Sequence, residues 1–354
     1  TNPSLAVTVN PVPNAGTSAS ITVCEIDGFF DLYSILTGSP DLGGTWFNSA
    51  GTQLTSSFYN PVTTGSDNFT YVVYGIAPCS NAQAIVSVTN NALPDAGQNA
   101  AHTVCENDAA FNMLNFLAGT PQAGGSWTDA ANTTVSNLFD PSSMSGGVFT
   151  YTVPGMSPCP SNSANLNVTV NPLPTALIST TTPVICNGNN ATIDFTFTGT
   201  APFDVTYNDG TSNSTQTINN TTGSIVISPG PAVTTTYTLV NVSDANLCTQ
   251  TVSGSITVTV NSLPIVTASS NPVSPLCDGD LLTLTGGGAT SYLWDNGVVD
   301  NIAFTPAVGT VTYTVTGTDV NSCINTDMIT VTVNALPTVT ASSNPVSPLC
   351  DGDL

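Results

Sequence analysis

The sequence predicts an all-β chain, a rod-like tandem array of small two-sheet sandwiches. Three observations carry that prediction. One phrase recurs along the whole length, apolar and polar residues alternate in short β-branched runs, and cysteines come two to a repeat.

The phrase is VTVNPVP at 7–13, VTNNALP at 88–94, VTVNPLP at 168–174, VTVNSLP at 258–264 and VTVNALP at 331–337. Its closing prolines are 81, 80, 90 and 73 residues apart, each the length of one small sandwich. The stretch 263–281 returns at 336–354 with one change, Ile265 against Thr338. The expected organisation is 1–13 as the last strand of a preceding repeat (Ser4 to Val9), then repeats at 14–94, 95–174, 175–264 and 265–337. A truncated fifth repeat follows at 338–354, so both ends are expected to be cut from a longer array.

Within a repeat, strands are bounded by Gly, Pro, Asn and Asp. In the fourth they are expected at 281–285, 291–294, 310–316 and 328–333, with Gly286, Gly287 and Gly288 as a loop between strands. Helical periodicity is absent except at 111–117, which reads as a short helical turn or an irregular strand. Short strands with a turn every 8 to 12 residues point to an immunoglobulin-like sandwich, and strands of about 8 to 10 residues make each unit roughly 35 Å long.

The paired cysteines are Cys24 and Cys79, Cys105 and Cys159, Cys186 and Cys248, Cys277 and Cys323, with Cys350 opening the fifth repeat. Two pairings are open. Within a repeat the separations are 55, 54, 62 and 46; between the second cysteine of one repeat and the first of the next they are 26, 27, 29 and 27. The more even spacing favours the second. A disulfide, however, needs Cα atoms within about 7 Å, and an extended linker would hold those cysteines apart. The expectation is therefore Cys24–Cys79, Cys105–Cys159, Cys186–Cys248 and Cys277–Cys323. Trp46, Trp127 and Trp294, with Tyr207 in their place in the third repeat, supply one aromatic per unit, read as core packing rather than a sugar platform.

Charge narrows the function classes. The chain has no lysine or arginine against 22 acidic residues, a net charge of -22 with a single histidine, His102. It cannot neutralise phosphates, which makes nucleic acid and anionic membrane surfaces poor partners, and no nucleic-acid partner is expected. It has no lysine for a Schiff base or an isopeptide cross-link, and no G-x-S-x-G with a histidine to serve it. No catalytic residue, cofactor site or metal site stands out. The nearest candidates are Asp278 with Asp280, Asp351 with Asp353, and Asp319 with Asn321, which offer oxygen ligands of the calcium type but more often form turns and Asx caps. An enzyme is not expected. Nine cysteines place the chain in an oxidising, extracellular setting.

The VTVN-x-LP boundary, Cys-x-Gly-Asp at 277–280, Ser-Tyr-x-Trp at 291–294 and TYTVTGTDVNSC at 312–323 resemble the immunoglobulin-like or PKD-like repeats of giant surface adhesins of gliding Bacteroidota. The resemblance implies export by the type IX pathway, the cell surface as location, and adhesion filaments moved along the cell in gliding motility. Implied partners are neighbouring repeats, a surface polysaccharide or other adhesive ligand, and outer-membrane secretion and motility machinery, without membrane insertion. The alternatives are spacer or carbohydrate-binding modules of a large secreted polysaccharide-degrading enzyme, and a sheath or surface-layer subunit.

Overall fold

The structure, a computed structural model, describes residues 4–342 and divides into two compact units, Thr1–Pro172 and Leu173–Leu354. Each unit contains two separate apolar cores, each enclosed by β-layers. The chain is all-β, a tandem array of immunoglobulin-like sandwiches.

In the first unit, Ala19–Cys24 runs parallel to Ala82–Asn91, which pairs antiparallel with Asp67–Val73, and that strand with Thr45–Phe47. Alternation explains the buried face: Ala84, Val86 and Val88 point inward while Gln83, Ile85 and Thr89 stay exposed. The facing layer is thin, with Phe30–Asp31 paired to Phe58–Tyr59 and a bridge between Thr17 and Thr37. The second core repeats the plan. Ala100–Cys105 lies parallel to Asn162–Asn171, followed by Gly147–Val153, Ser126–Thr128 and Thr134–Val135, with Phe111–Asn112 against Leu138–Phe139 opposite.

Both readings of 111–117 hold in part. Phe111–Asn112 is a strand and Met113–Phe116 a single 3-10 turn, started by the Asn112 side chain accepting from the Leu114 N–H. Asp31 does the same for Tyr33 ahead of Leu32–Ile35. These turns drive Leu32 and Met113 into the cores, where both are fully buried.

In the second unit the third core is the fullest. Thr175–Ser179, Ala191–Thr198 and Thr222–Ile227 form one layer. Val184–Cys186, parallel to Ser255–Asn261, opens the other, which continues through Thr235–Ser243, Phe203–Asn208 and Asn213–Ile218. Asp209 turns the last hairpin, and its carboxylate accepts the Thr211 hydroxyl and the N–H groups of Thr211 and Ser212, which hold its pKa down to about 2. The fourth core lies between Thr267–Asn271 with Thr283–Gly287 and the layer Leu276–Cys277, Ile324–Asn334, Gly309–Thr318, Ser291–Trp294.

Two expectations need correction. Gly286 and Gly287 are not a loop but the end of Thr283–Gly287, paired with Ala268 and Thr267. Glycine is needed there because a Cβ at Gly286 would lie within 2.6 Å of the Tyr292 ring. Ser4 to Val9 forms no strand. A strand needs an edge alongside to complete its ladder, and none of the described residues supplies one.

Candidate functional site: the cysteine junctions

The ladders decide where each cysteine sits. Cys24, Cys105, Cys186 and Cys277 each end the strand that runs parallel to the last strand of their sandwich, opposite Asn91, Asn171, Asn261 and Asn334. Those asparagines are the fourth residue of the recurring VTVN or VTNN phrase. The phrase and the first cysteine of every repeat therefore mark the same end of the sandwich. The residue after each cysteine donates its N–H to the asparagine carbonyl at 2.9 to 3.0 Å: Glu25, Glu106, Asn187 and Asp278.

The second cysteine of each repeat sits at the other end. Cys79 and Cys159 precede Ala82–Asn91 and Asn162–Asn171 by three residues, and Cys323 immediately precedes Ile324–Asn334. A ten-residue strand spans about 30 Å, far beyond disulfide reach.

This corrects the disulfide assignment. Cys24 is bonded not to Cys79 but to Cys159, across to the next sandwich of its unit, with Cα atoms 4.9 Å apart. Cys186 is bonded not to Cys248 but to Cys323, with Cα atoms 5.6 Å apart. Cys105–Cys159 and Cys277–Cys323 fall with them, as does the evenly spaced pairing of Cys159 with Cys186. Cys105 and Cys248 are disulfide-bonded as well, while Cys79 and Cys277 carry free thiols. Cys350 lies outside the described residues. The rule in both units joins the first cysteine of one repeat to the second of the next. The exit end of one sandwich abuts the entry end of its successor, so the most distant pair in sequence is the nearest in space.

A polar clasp accompanies each bond. In the first unit the Asn91 carboxamide donates to the carbonyls of Ser157 at 2.9 Å and Met156 at 3.4 Å, and the Asn91 backbone carbonyl lies 3.3 Å from the Cys159 sulfur. In the second unit Asn325 donates to the Pro264 carbonyl at 3.0 Å. Val266, two residues after Pro264, is buried in the fourth core, so the linker itself is docked.

The acidic residues next to the cysteines cap these ends. Asp27, Asp108 and Asp280 accept the N–H of Cys24, Cys105 and Cys277 at 2.7 Å, which accounts for the aspartate three residues after each of these cysteines. Asp319 accepts from Cys323 and Asn321, both at 2.8 Å, and Asp244, 5% exposed, accepts from Cys248, Asn246 and Thr200. Asp280 and Asp319, read as calcium ligand candidates, thus serve backbone donors; Asp351 and Asp353 lie outside the described residues. Among the described residues no three His, Cys, Asp or Glu side chains gather as a metal site.

Trp46, Trp127, Tyr207 and Trp294 are 3 to 6% exposed. Trp46 and Trp127 pack on Tyr71 and Tyr151 with centroids 5.0 Å apart, and Trp294 donates to Asp300 at 2.9 Å. These side chains are enclosed in the cores. His102 stacks on Phe116 at 3.8 Å and meets Phe111 edge-on.

No family model matches the chain and no curated protein matches it. Solved structures do. A Ca2+-stabilized adhesin that helps an Antarctic bacterium reach out and bind ice is 14% identical, with 91% of this chain and 100% of that chain covered and a TM-score of 0.37. An I-band fragment of titin is 12% identical over 72% of this chain and 99% of its own, with a TM-score of 0.39. The first five immunoglobulin domains of Sidekick-1 are 10% identical over 92% and 81%, with a TM-score of 0.31.

Proposed function

We propose that the chain is a structural and adhesive segment of a large secreted cell-surface adhesin, a stalk that transmits tension rather than a catalyst. The observation that carries this reading is the covalent join between successive sandwiches. Tension reaching Cys24 or Cys186 passes through one S–S bond to Cys159 or Cys323, bypassing sequence separations of 135 and 137 residues. Parallel pairing of the first and last strands adds to this, because a pull along them loads the whole ladder in shear.

Disulfides support a location outside the cytosol, and the absence of lysine and arginine disfavours anionic partners, which agrees with a neighbouring repeat or a neutral polysaccharide as partner. The finer reading, an adhesin of the gliding Bacteroidota type exported by the type IX pathway, follows from the sequence resemblance.

Two measurements test the proposal. Antibodies to this segment are expected to label intact cells and their Fab fragments to block attachment; labelling only after lysis, or attachment unaffected by loss of the segment, overturns it. In single-molecule pulling, reduction is expected to release roughly 450 Å of extra chain for each opened junction, at about 3.4 Å per residue. Equal extension before and after reduction would remove the tension-bearing role.

A further inference from the structure

Each unit ends in a cysteine without a partner, and each of these cysteines stands in a frame that is bonded elsewhere in the same unit. In the first unit, Asn10 donates its carboxamide to the carbonyls of Ala77 at 3.1 Å and Ile76 at 3.4 Å, and its carbonyl lies 3.8 Å from the Cys79 sulfur. Asn91 makes the equivalent contacts with Ser157, Met156 and Cys159. Asn10 and Asn91 are the same position of the recurring phrase. There, the cysteine opposite Asn91 on the parallel strand, Cys24, closes the bond to Cys159.

The segment before Asn10 points the same way. Leu5 and Val7 are 89% and 76% exposed, whereas Val86 and Val88 at the same positions of the next copy are 0% and 3% exposed. Leu5 and Val7 stand at the phrase positions that are buried in the next copy, yet here they face solvent.

In the second unit, Cys277 faces Asn334, its successor donates to the Asn334 carbonyl, and Asp280 caps its N–H. Cys24 has all three features and is bonded to the following repeat. Val339, two residues after the closing proline of its phrase, is 85% exposed, while Ala15, Ala96, Ala176 and Val266 at that position are 7% exposed or less. Val339 lacks the core that its counterparts enter.

We propose that Cys79 and Cys277 are half-cystines through which the array continues in both directions within one polypeptide. Cys79 bonds the cysteine that ends the first strand of a preceding repeat, and Cys277 bonds the cysteine before the last strand of a following repeat. In each bond two thiols lose two protons and two electrons to form one S–S bond. The electrons pass to a disulfide-carrying oxidoreductase of the oxidising compartment, which leaves as its dithiol. The occupant of each end face is a further copy of this repeat, which supplies the apolar surface that Leu5, Val7 and Val339 lack. The inference stands whether or not the array is adhesive.

The test is disulfide mapping of the native protein, alkylated on extraction. Trypsin has no site in this segment, so cleavage before aspartate and after aromatic residues is used. The expected result is a Cys79 peptide joined to a peptide from the end of another repeat's first strand, and a Cys277 peptide joined to one from the loop before another repeat's last strand. Alkylated Cys79 or Cys277 in the native protein overturns the proposal. So do multimers on non-reducing gels linked through these residues, which would make the occupant a second chain. In the 354-residue chain alone, Cys79 and Cys277 are expected to react with maleimide without denaturant, while Cys24, Cys159, Cys186 and Cys323 do not. In the native protein, Cys79→Ser is expected to expose one new reactive thiol in the preceding repeat; no new thiol overturns the assignment.

Discussion

The two units make the same bond through different loops. At the first junction the linker reaches into the loop: Asn91 donates to the carbonyls of Met156 and Ser157, and proline precedes Cys159. At the second the loop side reaches back, with Asn325 donating to Pro264, and an aspartate, Asp319, folds the loop around Cys323. The residue before Cys323 is not proline but Ser322, held at φ 64°. The donor changes sides and the loop changes chemistry, yet the cysteines meet. The disulfide defines the junction, and the polar clasp is an interchangeable means of presenting it.

That comparison breaks most readily at the bond. Closing a loop of 135 or 137 residues stabilises the native state by about 5 kcal/mol in the chain-entropy description. Cys24→Ser and Cys186→Ser are therefore expected to cost nearly the same, read from denaturant unfolding with and without reductant. A large loss in one unit and none in the other would show that the loops, not the bond, hold that junction.

Much of this was legible in the sequence, and the part that was not has a physical reason. Alternation in 82–91 or 162–171 marks which residues enter the core, because a strand's two faces follow directly from a period of two. The recurring phrase marks the repeat. What pairs with Cys24 depends on which end of a sandwich each cysteine occupies, and that follows from the parallel pairing of first and last strands. Parallel pairing is a long-range property that no local pattern announces. A trace was present: the Cys-x-x-Asp beside Cys24, Cys105 and Cys277 is the cap of an end, where Asp280 accepts the Cys277 N–H. The Gly286–Gly287 reading failed because a glycine run signals a turn unless a ring, here Tyr292, requires the open backbone.

Within the sandwiches the next largest effect belongs to the first unit. Gly44 donates its N–H to the Tyr71 hydroxyl at 2.8 Å, and a Cβ there would lie 2.5 Å from the Tyr71 ring. Gly125 stands in the same relation to Tyr151. Gly44→Ala is expected to cost about 1–3 kcal/mol as overpacking, measured by thermal unfolding. Gly65→Ala, with nothing within 4 Å, should be silent. Equal effects at the two would mean that the tyrosine clasp contributes nothing.

The second unit has its own test in the aspartates of its loops. Asp244→Ala leaves the N–H groups of Cys248, Asn246 and Thr200 short of an acceptor, at about 1–2 kcal/mol. Asp319→Ala, at a more open site, should cost less; the reverse order would contradict the burial argument.

Acid sharpens the same contrast. Asp209 has a folded pKa of about 2, below its unfolded value, chiefly through the Thr211 hydroxyl. Its contribution is therefore complete above the unfolded carboxylate pKa of about 4. It is lost as pH falls through about 2. Asp209→Asn is expected to flatten the acid limb of the second unit's unfolding curve between those values by lowering its midpoint at neutral pH, where the ionised form contributes, and leaving it unchanged near pH 2. An unchanged acid limb would separate this turn from the acid response.

The smallest effect is the most specific to the difference between the loops. Ser322, like Leu247 before Cys248, holds a left-handed backbone conformation that costs a side chain of ordinary chirality about 1 kcal/mol. Glycine relieves that cost but adds freedom to the unfolded chain, so Ser322→Gly should stabilise the second unit by only about 0.5 kcal/mol, visible as a small upward shift in its unfolding midpoint. At the first junction the corresponding residue is Pro158, whose fixed φ already limits the unfolded chain. Pro158→Gly should accordingly destabilise. Opposite signs at equivalent positions would establish that the two loops present the same cysteine by opposite means, one by restricting the unfolded backbone and one by tolerating strain in the folded one.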